Sequence, residues 1–181
     1  MLHLKNITAG NPKTAEQYQL TKQYGVTWLF SEDGKNWYEE QKNFASDTIK
    51  MVYSGDGRVV WVGKDVTGIE PRNASVIEVP DITANRRITA PGYWFYRNDE
   101  FVFDYKLKAE DERDALLKQV SIMTSECEKD LLLGLISDED REKLKAYRIY
   151  AKSLQAMDFS PITDKTSYNA IEWPVSPEAS S

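Results

Sequence analysis

At 181 residues the chain is long enough for one ordinary domain or two small ones, and with 41% hydrophobic and 29% charged residues it has the composition of a folded protein rather than a disordered one. A net charge of −6, with no lysine–arginine run, argues against sequence-independent binding to nucleic acid, which needs a cationic face. The apolar stretch near Leu131–Ile136 is too short to span a bilayer, the opening Met-Leu-His-Leu-Lys-Asn lacks the form of a signal peptide, and the single Cys127 can make no internal disulfide.

The grammar of the chain changes near Lys106. Eight of the nine glycines and sixteen of the twenty-one aromatic residues precede it. Charge does not mark the change, since twelve basic and fourteen acidic residues lie before it, and eleven and fifteen after. The shift is one of secondary structure, and predicts an α+β chain. Residues 1–105 are expected to form a small antiparallel β-rich domain. Residues 106–181 are expected to form an antiparallel helical hairpin with an extended carboxy-terminal tail.

In chain order, Lys13–Gln23 is ambiguous between a helical turn and an ordered arm. Tyr24, Val26, Trp28 and Phe30 alternate as a half-buried strand requires. A turn at Ser31-Glu32-Asp33-Gly34 follows, with Asn36–Tyr38 as the expected return strand. Ile49–Tyr53 and Arg58–Val62 flank Ser54-Gly55-Asp56-Gly57 and read as a hairpin. Ser75–Val79 is a further strand, closed by Pro80. Tyr93–Tyr96 and Phe101–Phe103 flank a third turn. About six or seven short strands are expected.

Beyond Lys106, Leu116, Val120, Met123, Cys127 and Leu131 recur at helical steps, and Gly134 fits a helix end. Ser137, three residues before Asp140, is placed to cap a second helix whose seam is Leu144, Tyr147, Ala151 and Leu154. The pair is expected either to dock on the sheet through Leu117, Ile149 and Tyr150 or to stand out as an arm. In the Pro- and Ser-rich tail, Ile171-Glu172-Trp173-Pro174 reads as an anchored extended segment, with fraying expected beyond Pro177.

Residues that carry chemistry are scarce. His3 is the only histidine and lies at the terminus, so a Ser-His-Asp or Cys-His arrangement is disfavoured. Asp138 and Asp140 lack the remainder of a calcium loop, and Gly55-Asp56-Gly57 lacks the helix and the Gly-Lys-Ser/Thr of a phosphate cradle. Cys127 falls in an apolar helical stripe and reads as a core thiol. No catalytic, metal-binding or cofactor-binding residue is expected, and no cofactor. Trp28, Trp37, Tyr38, Trp61, Trp94 and Tyr96 have two readings, a sheet core or an exposed platform for sugar or protein. Trp37 and Tyr38, just after a turn, are the candidates for partner binding.

The amino-terminal block His3-Leu4-Lys5-Asn6-Ile7, Ala9-Gly10-Asn11-Pro12-Lys13-Thr14 and Glu16-Gln17-Tyr18-Gln19-Leu20-Thr21-Lys22 resembles the opening of Mu-like phage tail fibre assembly proteins. So do Ser31-Glu32-Asp33-Gly34-Lys35-Asn36-Trp37-Tyr38-Glu39-Glu40, Val79-Pro80-Asp81-Ile82-Thr83 and Asn85-Arg86-Arg87. Pro91-Gly92-Tyr93-Trp94, the helical hairpin and Glu172-Trp173-Pro174 resemble the wider family. The chain departs from the pattern at Lys108, where relatives tend to carry a Thr that caps the first long helix, and at Tyr147, where a tryptophan is usual.

The resemblance implies a non-enzymatic chaperone. Its partner would be the carboxy-terminal region of a trimeric tail fibre protein, whose folding and trimerisation it promotes in the host cell cytoplasm. In some relatives it would stay on the virion's fibre tip and touch cell-surface lipopolysaccharide. Neither nucleic acid nor membrane insertion is implied, and no binding residue is carried over. The alternative reading is a receptor-binding module at the fibre tip that recognises host lipopolysaccharide. Independently of the resemblance, a β-rich body offers edge strands to an unfinished partner strand.

Overall fold

The structure, a computed structural model, describes residues 1–180. It divides into a unit of Met1–Phe103 and a second unit beginning at Asp104. The first is built on strands and the second on helices, an α+β chain as its composition predicts.

In the first unit, β1 (His3–Gly10), β2 (Trp28–Phe30), β3 (Ile49–Ser54), β4 (Val59–Gly63) and β5 (Ala74–Val79) form an antiparallel sheet in the order β2-β1-β5-β3-β4. Strands β6 (Trp94–Arg97) and β7 (Glu100–Phe103) pair as a separate hairpin. The inner strands β5 and β3 alternate between two apolar clusters. Val52, Ala74 and Val76 join Leu4, Ile7, Leu29 and Trp37 on one face. Ile49, Met51 and Val79 join Val59, Ile88 and Trp94 on the other. With both faces covered, the sheet holds large rings in each layer, Trp37, Phe44 and Trp61 on one side and Trp94, Phe101 and Phe103 on the other.

Strand β1 was not expected, and its backbone shows why. Its buried residues Leu4 and Ile7 are three apart, an odd spacing that breaks the alternation of a regular strand. A bulge between them absorbs the extra residue, with Asn6 at a φ of 49° and its N–H donating to Ser75 Oγ at 2.9 Å.

The expected strand from Tyr24 is mostly a helix end. Thr14 Oγ1 accepts from Gln17 N at 3.1 Å and starts α1 (Ala15–Tyr24), and Gly25 closes it. Tyr24 is therefore exposed, and only Trp28–Phe30 pairs as a strand. The return strand Asn36–Tyr38 is likewise corrected. Asn36 bridges Phe30, but its Oδ1 then accepts from Tyr38 N at 3.0 Å and turns the chain into α2 (Trp37–Glu40). The β3–β4 turn requires Gly57 (φ 89°), because a Cβ there would lie 2.5 Å from Tyr96 O. A short α3 (Thr83–Arg86) follows β5.

Two opposite charges are buried in the sheet. Lys50 and Glu78 face each other across β3 and β5, and both are buried. The Lys50 ammonium donates to the carbonyls of Ala45 and Thr48. The Glu78 carboxylate accepts from Leu2 N (2.9 Å), Ala45 N (2.6 Å) and Thr48 Oγ1 (2.7 Å), which satisfies a charge that burial would otherwise penalise.

The second unit begins with α4 (Tyr105–Leu133), 29 residues and about 43 Å long at the helical rise. Its cap is Asp104, whose Oδ1 accepts from Leu107 N at 2.9 Å, so Lys108 lies within the helix rather than at its cap position. Gly134 (φ 71°) ends α4, and Ser137 caps α5 (Asp138–Gln155) by accepting from Asp140 N. The core of the pair is small: Val120, Tyr147, Tyr150, Ala151 and Leu154, with Leu116, Leu117, Met157 and Trp173 against it. Tyr150 and Leu117 thus pack within this unit, while Ile149 is exposed. The Tyr147 hydroxyl is buried without a hydrogen bond of good geometry; the nearby Glu178 carboxylate adds to the burial that raises its pKa.

The tail holds more structure than its composition implies. Asp164 and Ser167 form a reciprocal cap for α6 (Lys165–Asn169), which presents the Tyr168 hydroxyl to Glu112 at 2.6–2.7 Å. Trp173 packs on Phe159 and anchors the segment as expected. Beyond Pro177, where fraying was expected, Pro177–Ser180 forms a 3-10 turn; Ser181 lies outside the described residues.

Candidate functional site

The aromatic candidates separate cleanly. Trp37 is 0% exposed, packed in the first cluster against Phe44, with its Nε1 donating to Ile69 O at 3.3 Å. It has no surface to offer a partner, so its part in any contact is indirect. Tyr38 is 39% exposed, its ring edge-on to Trp28 and its hydroxyl donating to Thr27 O at 3.1 Å. Trp28 and Trp94 are buried, and Trp61 and Tyr96 are partly so. Of the six aromatics that were candidates for a platform, Tyr38 alone is exposed, and one ring does not make a platform.

His3 is drawn into packing rather than catalysis. Its Nε2 shares a hydrogen bond with the Tyr53 hydroxyl at 2.7 Å, and the Tyr96 ring stands edge-on to it. Burial, then the charge of Lys5, lowers its pKa, which favours the neutral ring. Cys127 is half-buried on α4. Among the described residues no group of three His, Cys, Asp or Glu side chains is placed to hold a metal ion, and no helix is long and apolar enough to cross a membrane.

The exposed apolar surface lies elsewhere, at the distal end of the helical hairpin. Leu131, Leu132, Leu133 and Leu135 are all exposed, Leu132 at 87% and Leu135 at 73%. The predicted α4 stripe therefore divides. Its proximal member Val120 is buried, whereas Met123 and Leu131 are exposed. Four leucines exposed within five residues is an uncommon arrangement for a protein that works alone.

Beside this tip, α4 and α5 enclose a cleft of about 500 Å³ with an apolar floor of Leu131, Leu144 and Ile149. Its walls carry one acid, Glu128, and four cations, Arg141, Lys145, Arg148 and Lys152. The cations follow steps of four, three and four along α5, which places them on one helical face. Lys145 lies 3.6 Å from Glu142 in a solvent-exposed pair of little strength. Among the described residues, Arg141, Arg148 and Lys152 form no ion pair. The arrangement has no nucleophile or acid–base pair; it is suited to gripping apolar groups flanked by negative charge.

Neither the leucine tip nor the cationic face was singled out from the sequence. Leu131–Ile136 is too short for a membrane span and Leu131 continues the helical stripe of α4, so neither pattern marks the tip as exposed, and the basic residues form no contiguous run. Reading charge at the helical period would have found the stripe.

Comparison with known proteins finds relatives over most of the chain. The family model described as Caudovirales tail fibre assembly protein, lambda gpK, matches residues 39–178. The chain is 49% identical over 171 residues to tail fiber assembly protein U' of Escherichia phage Mu, covering 90% of this chain and 97% of that protein. It is 47% identical to tail fiber assembly protein U' of Escherichia phage P1, with the same coverage. It is 40% identical over 184 residues to tail fiber assembly protein U of phage Mu, spanning 98% of this chain and 100% of that one. By these matches, which take in both units, the chain belongs to the Caudovirales tail fibre assembly protein family.

Proposed function

We propose that this protein is a non-enzymatic chaperone that binds the carboxy-terminal region of a phage tail fibre polypeptide and promotes its folding and trimerisation. The relatives' names supply the process, tail fibre assembly. The observation that carries the molecular role is the exposed leucine tip of the hairpin, where four leucines within five residues stand open to solvent. An unfinished fibre chain exposes apolar surface before its trimer closes, and a complementary apolar surface can cover it meanwhile. This reading places the protein in the host cytoplasm during assembly. In the first unit, Tyr38 is the aromatic contact we assign to the partner, with Trp37 holding it in place from within the core.

Co-expression with the carboxy-terminal part of the cognate fibre, followed by co-purification and mass determination, tests the proposal. A soluble fibre trimer obtained only in the presence of this protein is expected. A trimer obtained equally well without it, and not binding it, would refute the role.

A further inference from the structure

We propose that the cleft between the distal part of α4 and the Arg141–Lys152 stretch of α5 is a docking site for an amphipathic segment that carries carboxylates on either side of apolar side chains. This inference rests on the chaperone reading and assigns the segment to the fibre polypeptide.

Charge decides the chemistry of the occupant. The chain is acidic overall, at −6, and its second unit holds more acids than bases. Against that background, Arg141, Lys145, Arg148 and Lys152 gather on one face of α5, directly over an apolar floor. Three of the four have no acidic partner among the described residues. Like charges at helical spacing repel one another, and Glu128 and Glu142 offset only part of the four positive charges, so an acidic partner would supply further compensation. The floor rules out a purely ionic ligand such as free phosphate, which would leave Leu131, Leu144 and Ile149 uncovered. A segment with apolar residues at its centre and Asp or Glu at its edges satisfies both. The adjacent Leu132 and Leu135 extend the apolar contact past the cleft.

The test uses the full-length protein and the carboxy-terminal fragment of its cognate fibre polypeptide. The reversal variant Arg141→Glu/Arg148→Glu/Lys152→Glu changes exposed side chains only, so thermal melts should match those of wild type. Its affinity for the fragment is expected to fall about tenfold or more. Wild-type affinity is expected to weaken when salt rises from about 50 mM to about 500 mM, while the variant loses most of that dependence. A control of equal net charge, Lys22→Glu/Lys118→Glu/Lys165→Glu, is expected to bind like wild type. Should the reversal variant fold poorly, Leu132→Ser/Leu135→Ser provides an independent test of the apolar part and is expected to weaken binding as well.

Undiminished binding by both the reversal and the serine variants would overturn the inference while leaving the chaperone reading intact. A wild-type protein that binds no fragment would instead overturn that reading. If the free protein is a dimer that the reversal variant dissociates, a second copy fills the cleft and the proposed occupant is wrong.

Discussion

The two units use apolar residues in opposite ways. The first places a cluster on each face of its sheet, and Leu4, Ile7, Leu29, Trp37, Met51 and Val76 are wholly buried there. The second closes a core of five buried residues along its hairpin and leaves Leu131, Leu132, Leu133 and Leu135 exposed farther out. A sheet with both faces packed is a rigid body. A pair of long helices whose seam runs out before the helices do is a body with surface to spare for another molecule. The contrast teaches that composition alone misleads: the aromatic-rich half has the look of a binding platform, whereas the Leu/Glu/Lys half carries the run of four exposed leucines.

Substitutions that remove buried bulk should sharpen this contrast most. Trp37→Ala deletes the largest side chain in the first core and is expected to cost about 3–5 kcal/mol, read as a lower urea midpoint by tryptophan fluorescence. Four of the five tryptophans lie in the first unit, so this signal reports mainly on it. A loss under about 1 kcal/mol would mean that Trp37 is not the keystone its burial implies. In the second unit Leu154→Ala should cost about 2–5 kcal/mol, whereas Leu132→Ala should change stability by no more than about 0.5 kcal/mol, both by circular dichroism melts. Equal effects would erase the distinction between seam and tip.

A pH series separates the units next. Burial pushes the Glu78 carboxyl upward, but the donors from Leu2, Thr48 and Ala45 and the Lys50 charge outweigh it, and its pKa lies below the ordinary 4.5. A depressed folded-state pKa contributes stability that is present above 4.5 and is lost as pH falls through the lower folded value. The first unit should therefore weaken in acid below that point. Glu78→Gln should cost about 1–3 kcal/mol at neutral pH and flatten the acid dependence of the fluorescence-detected urea midpoint. A small effect of the opposite sign is expected at Tyr147→Phe, which removes a buried hydroxyl lacking a good partner and should leave the melting temperature unchanged or raise stability by up to about 1 kcal/mol.

How far the sequence could be read depended on whether each element obeyed a simple period. The hairpins at Ile49–Val62 and Tyr93–Phe103, the helix end at Gly134 and the seam Leu144-Tyr147-Ala151-Leu154 all follow period two or the helical period, and all are found where expected. Strand β1 escaped notice because the bulge at Asn6 shifts Ile7 out of alternation with Leu4. The stretch from Lys13 to Phe30 was misdivided because Tyr24 and Val26 happen to continue the alternation of Trp28 and Phe30, while the caps Thr14 and Gly25 outrank that pattern locally. Helix α6 was hidden in a tail whose composition reads as irregular, although Asp164 and Ser167 stand at capping-box spacing. The candidate site was the least legible part. Whether Trp37 or Tyr38 faces water depends on the phase of a four-residue helix, which Asn36 sets through one hydrogen bond.

The most direct test of this division of labour is hydrogen exchange by mass spectrometry on the full-length protein with and without the cognate fibre's carboxy-terminal fragment. If the hairpin tip is the principal docking surface, peptides covering residues 128–152 will gain protection on binding, while those from the inner strands β3 and β5 will exchange at the same rate in both samples. A complex that forms with no added protection in 128–152, or with its main protection on the inner strands, would contradict that assignment.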